Sequence, residues 1–187
     1  HLMNFAMSNV KFINFTMYGA LMNTSLIGKM DNILFANCAN GLYLQGGSVT
    51  KANLVTLNSC SFYDIKGIGL NVYLGASIIV NSGDFERVGT STNINTGAIY
   101  VSYMATSSEA VALALNGCWF EQDSGTVIHY GVPNGQAIYT IDNSQISGSL
   151  ATNMILVDSA ANNTTIYITN SQVIGSTGNS SINVKGG

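Results

Sequence analysis

The chain has 187 residues, a formal net charge of −3 and only 8% charged side chains, against 47% hydrophobic residues, 20 glycines, one proline and three cysteines. An average soluble domain is about 25% charged; here Asn, Ser, Thr and Gly take that place, and six Lys and Arg provide no basic patch for phosphates, so nucleic acid is not an expected partner. No apolar run nears the ~20 residues of a membrane span, recurrent Ile, Leu, Val, Phe and Tyr argue against disorder, and three cysteines cannot close a disulfide framework.

His1-Leu2-Met3 lacks the basic-then-apolar pattern of a signal peptide, and apolar alternation begins almost at once. The expectation is one domain over 1–187, cut from a longer chain. Helix formers are scarce, and segments such as Leu54-Val55-Thr56-Leu57 and Thr165-Ile166-Tyr167-Ile168 predict strands.

One phrase recurs along the chain. An apolar pair at i and i+2 is followed by two small polar residues, then by inward residues at i+5 and i+7. In chain order the copies are Phe5-x-Met7-Ser8-Asn9-Val10-x-Phe12, Ile33-x-Phe35-Ala36-Asn37-Cys38-x-Asn40, Val55-x-Leu57-Asn58-Ser59-Cys60-x-Phe62 and Ile78-x-Val80-Asn81-Ser82-Gly83-x-Phe85. Then come Leu113-x-Leu115-Asn116-Gly117-Cys118-x-Phe120, Tyr139-x-Ile141-Asp142-Asn143-Ser144-x-Ile146 and Ile166-x-Ile168-Thr169-Asn170-Ser171-x-Val173. Steps between copies are 28, 22, 23, 35, 26 and 27 residues.

Inward parity shifts by one after each polar pair. A flat strand cannot do this, because its side chains alternate strictly. A corner with one left-handed residue can, and Asn and Gly tolerate that conformation best. Each copy therefore predicts strand, corner, strand. A later alternation (Leu42-x-Leu44, Ile68-x-Leu70-x-Val72, Ile99-x-Val101, Ile155-x-Val157, Ile182-x-Val184) predicts a further face. Stacked coils would share a core that no single coil can close. Asn9, Asn37, Asn143 and Asn170 are expected in one corner column, with Asn58, Asn81 and Asn116 in the column before it, their amides bonded along the stack. Cys38, Cys60 and Cys118 are expected together in an inward column as buried small groups.

These stacks, Asn-rich corners and coil lengths resemble the right-handed parallel β-helix of pectate-lyase-like proteins, over about Phe5 to Val184. The expected fold is thus all-β, a solenoid of about seven coils. Low charge and abundant Asn, Ser, Thr and Gly look most like bacteriophage tailspikes and capsule depolymerases. That resemblance implies a homotrimer in the phage virion, outside the cell. It would act with other domains of the same tailspike on bacterial surface polysaccharide, without membrane insertion. It implies no cofactor, and the carboxylate–cation cluster of calcium-dependent pectate lyases is missing.

Candidate chemistry rests on few residues. If Phe62, Phe85 and Phe120 point inward, then Tyr63, Asp84, Glu86, Trp119 and Glu121 point outward together, including the only tryptophan. Neighbouring strands lie ~4.8 Å apart, and glycoside hydrolysis uses carboxylates about 5–5.5 Å apart in retaining and ~6.5–9.5 Å in inverting enzymes. Glu86, Glu121 and Asp84 are therefore the candidate catalytic groups of an endo-acting polysaccharide depolymerase. Trp119, Tyr63 and Arg87 are the candidate substrate contacts, and no metal ligands are assigned. Asp64, Asp123 and Glu109 are further acids. The longest step places extra loops at about Val88–Gly97 and Met104–Ala110, beside this patch. His129 reads as a surface or satisfied core residue. A non-catalytic shaft or adhesin is the rival expectation, and a polysaccharide lyase a second, with Arg87, Lys66, Tyr63 and His129 as its limited material.

Overall fold

The structure, a computed structural model, describes residues 4–23, 27–45, 54–73, 77–90, 93–102, 111–131, 137–147, 150–158, 164–174 and 180–184. All regular structure among them is β, arranged as a parallel β-solenoid. The first sheet contains Asn4–Ser8, Ile27–Asp31, Leu54–Asn58, Ser77–Asn81, Val111–Asn116, Ala137–Asp142 and Thr164–Thr169. A middle sheet of three-residue strands holds Lys11–Ile13, Leu34–Ala36, Ser61–Tyr63, Asp84–Glu86, Trp119–Glu121, Gln145–Ser147 and Gln172–Ile174. The third comprises Tyr18–Asn23, Asn40–Gln45, Ile68–Tyr73, Gly97–Ser102, Ser124–Tyr130, Leu150–Val157 and Ser180–Val184. Each turn of chain lays one strand in each sheet, directly over the turn before.

The interior follows from alternation. Val55, Leu57, Cys60 and Phe62 of one turn are all fully buried, although parity changes between Leu57 and Cys60. The change occurs where the corner residue takes positive φ: Asn9, Asn32, Ser59, Ser82, Gly117, Asn143 and Asn170. Backbone bonding continues around this corner, with Ser59 N–H donating to Asn81 C=O at 2.9 Å and Asn32 N–H to Asn58 C=O at 2.9 Å, so these corner N–H groups find partners in the next turn.

A single aromatic column joins the middle of the turns. Phe12, Phe35, Phe62, Phe85 and Phe120 stack with centroids 5.1, 4.9, 4.6 and 4.9 Å apart and planes within 11°. Ile146 and Val173 extend the column in register. Each offset-stacked pair contributes about 0.5–1.5 kcal/mol beyond the area it buries. The third sheet makes room for it with glycine: a Cβ at Gly41 would lie 2.8 Å from a Phe62 ring atom. The end turns are less covered, since Phe5, Met7 and Phe12 at one end and Ile166, Ile168 and Val173 at the other are only partly buried.

Register corrects the expected second copy. Asp31 pairs laterally with Ser8 and Asn58, so the true copy is Gly28-x-Met30-Asp31-Asn32-Ile33-x-Phe35. The first two steps are 23 and 27 residues, not 28 and 22. Two features disguised this. Gly28 stands at an inward position, where the Phe5 ring fills the space its side chain would need. The later Asn37-Cys38 belongs to a second corner, beyond the middle sheet, whose left-handed residues are Asn14, Asn37, Asp64, Arg87 and Gln122. Asn37 therefore leaves the expected asparagine column and Asn32 replaces it.

Cys38 likewise shares its column with Ile65, Val88 and Asp123, and not with Cys60 and Cys118. All three thiols are free and buried as expected. Burial raises the Cys60 thiol and pushes Cys118 up to about 11, which makes neither a nucleophile at neutral pH.

Candidate functional site

The middle sheet positions the candidate patch. Its strands are only three residues long, so each turns one central side chain inward and two outward. Phe62, Phe85 and Phe120 occupy the central positions and are fully buried. Register then aligns Ser61, Asp84 and Trp119 in one outward row and Tyr63, Glu86 and Glu121 in the other. The expected surface is thus formed by Tyr63, Asp84, Glu86, Trp119 and Glu121. Trp119 is 45% exposed, and the four others are half-buried.

Each carboxylate in the patch has a donor. Tyr63 Oη donates a short hydrogen bond to Asp84. That bond, with burial, raises the Tyr63 phenol above its ordinary value. The Trp119 indole N–H donates to Glu121 Oε2 at 3.1 Å. Arg87 donates to Glu86. The aromatic groups are therefore oriented by the acids, and the indole edge is tied while its face stays open.

Arg87 lies one residue beyond the strand, at the second corner, with φ of 57°. Its Nε and Nη2 donate to the two carboxylate oxygens of Asp64 at 2.7 and 3.2 Å. This fork holds the Asp64 carboxyl below the usual range and raises the guanidinium in turn. The clamp joins two corner residues one turn apart, both in a conformation that is costly for non-glycine residues. Arg87 is thus occupied by two carboxylates, which leaves it poorly placed to neutralise a uronate. Asp64, Lys66, Arg87 and Thr90 line an open groove at this corner.

Of the expected 88–97 loop, residues 91–92 lie outside the described residues; Gly89 and Thr90 share the groove with Arg87, and Thr96 Oγ1 donates to Asn93 C=O at 2.7 Å and accepts Thr90 N–H at 2.9 Å. The loop expected at Met104–Ala110, with Glu109, lies outside the described residues. Asp123 points into the core. It is fully buried, accepts Val88 N–H at 2.8 Å on Oδ1, and leaves Oδ2 without a hydrogen-bond partner. Burial lifts its pKa well above the carboxylate range, so it belongs to the interior rather than to the patch.

Two partners were missed in the sequence. His129 is buried on the outer face of the third sheet, with Nε2 3.0 Å from Asp158 Oδ2 and its ring 4.6 Å from that of Tyr100. Asp64 lies 23 residues from Arg87, and Asp158 lies 29 from His129. Both separations are close to one turn, the signal that would have found them. No protein-family model, curated protein or solved structure matches the chain.

Proposed function

We propose that this chain is a β-helical segment of a phage tailspike that binds bacterial surface polysaccharide, capsule or O-antigen, as a homotrimer on the extracellular virion. The observation that carries the reading is the outward union of Trp119 and Tyr63 with Asp84, Glu86 and Glu121 on one rigid sheet. A tied indole offers a flat apolar face to a sugar ring, and the adjoining carboxylates accept from its hydroxyls. Self-association is supported by the outer face of the first sheet, where Ile27, Leu54, Ile138 and Tyr167 are exposed.

Hydrolysis by the same patch is a second reading, favoured by the lateral pairing of Glu86 with Glu121. Their backbones stand one strand spacing apart, about 4.8 Å, which puts two carboxyl side chains side by side on one face. The Arg87 clamp gives a lyase less support.

Panels of capsular polysaccharide and lipopolysaccharide test both readings. Binding with new reducing ends supports a depolymerase, and Glu86→Gln and Glu121→Gln should abolish product while keeping affinity. Binding without product leaves an adhesin. Absence of binding on every panel leaves a structural shaft. Light scattering tests the trimer, which a monomeric mass would oppose.

A further inference from the structure

The acidic patch covers only part of the middle sheet. Along the row that holds Trp119, the next two turns place Gln145 and then Gln172, each in direct register with its neighbour. Beside them runs the first corner, with Gly117, Asn143 and Asn170. These six residues line a groove of about 330 Å³ that has no charged side chain in its wall.

Three features separate this groove from an ordinary polar surface. In the preceding turns of the first corner the amides are used up internally. Asn58, Asn81 and Asn116 bond to one another or to Asp31 in an unbroken ladder at 2.7–2.9 Å. The amides of Asn143, Gln145 and Gln172 make no side-chain hydrogen bond among the described residues, so each keeps an acceptor oxygen and two donor hydrogens. Next, Gly117 is the one glycine in the left-handed column of this corner. A Cβ there would meet Ser82 Oγ and the Asn143 carbonyl only at 3.9 and 4.0 Å, so the corner beside Trp119 carries no side chain and is not crowded. Finally, the bond from the indole N–H to Glu121 fixes the ring and leaves its face, not its edge, for a ligand.

An aromatic face bordered by free amides, in a groove whose own lining is uncharged, matches an uncharged pyranose ring. Its C–H face stacks on indole, and its hydroxyls donate to and accept from amides. We propose that Trp119, Gln145 and Gln172 form a subsite for a neutral sugar. The glycan then lies across the strands, along the solenoid axis, leading away from Glu86 and Glu121. An acidic sugar is disfavoured here, because Asp84 and Glu121 adjoin the indole and no cation lines the groove. This inference rests on the polysaccharide-binding reading and adds to it the sugar class and the direction of the chain.

The single tryptophan makes a selective test possible. Neutral hexose and N-acetylhexosamine oligosaccharides, and their hexuronate-containing counterparts, are titrated into the full chain while indole emission is followed. Calorimetry runs in parallel. Neutral oligosaccharides should change emission saturably, and uronates should not. The Gln145→Ala/Gln172→Ala pair should weaken neutral binding about ten-fold, the loss of one or two net hydrogen bonds. Both glutamine side chains are outward and make no side-chain hydrogen bond among the described residues, while their main chains stay in the sheet, so the variant should keep the parent circular dichroism spectrum. Calorimetric binding with silent emission, an emission response to uronates alone, or full affinity in the double variant would overturn the subsite while leaving polysaccharide binding intact. No calorimetric heat with any glycan would overturn the broader reading, and the subsite with it.

Discussion

The two corners that flank the middle sheet use one backbone device with different side chains. At the first, every turn contributes Asn, Ser or Gly to the left-handed position, and the column before it is an amide ladder from Asp31 through Asn116. At the second, the left-handed residues are Asn14, Asn37, Asp64, Arg87 and Gln122. Repetition at the first corner stacks identical groups that satisfy one another. Variety at the second puts opposite charges one turn apart and leaves a groove beside a loop. The first corner holds the coil together; the second can vary without disturbing the stack.

The interior between the corners should matter most to both. Phe62→Ala removes a ring stacked on both sides, and the expected loss is about 3–5 kcal/mol in urea denaturation. A loss below that of any corner variant would show that the column is not the shared support. Asn81→Ala removes the bond to Asn58 and strands the Asn116 amide, with an expected cost of about 1–3 kcal/mol. If it costs no more than a substitution at the second corner, the distinction between the corners fails.

Asp123 gives a pH-dependent comparison. Because burial raises its folded-state pKa, the carboxyl supports the fold while protonated. That support is complete below its unfolded value of about 3.9 and fades as pH rises toward the folded value. Asp123→Asn should therefore match the parent near pH 4 and melt higher at neutral pH, with the gap widening as pH rises from 4, which thermal melts across that range would read. Asp31 and Asp142 carry the opposite sign. Asn58 and Lys29 lower Asp31, and Thr169 and Asn170 lower Asp142. Their support is present above the unfolded value and is lost as pH falls through the lowered one.

The smallest effect is expected at the clamp. Arg87 and Asp64 are nearly half exposed, so Arg87→Ala should cost less than about 1 kcal/mol, and less still in high salt. A larger, salt-independent loss would make the second corner as structural as the first.

Much of this was legible because side-chain alternation is local. Val55, Leu57, Cys60 and Phe62 reveal a strand, a parity change and a strand within eight residues, and the outward set Tyr63, Asp84, Glu86, Trp119 and Glu121 followed from three phenylalanines. The second turn was misread because Gly28 has no side chain to mark the inward position, and because Asn37-Cys38 mimics the corner it is not. Asp123 reads as one more acid in sequence, yet its column also contains Cys38, Ile65 and Val88, a fact of stacking alone.

Sequence by itself determined what each short segment does: which residues face in, where the chain turns, and that the turns must stack to bury their apolar rows. Only the tertiary structure decided which residue lies over which. Lateral neighbours are separated by 22 to 35 positions, and that interval varies with loop length. Pairings such as Arg87 with Asp64, or Trp119 with Gln145, therefore depend on turn length, a long-range property that no local pattern encodes.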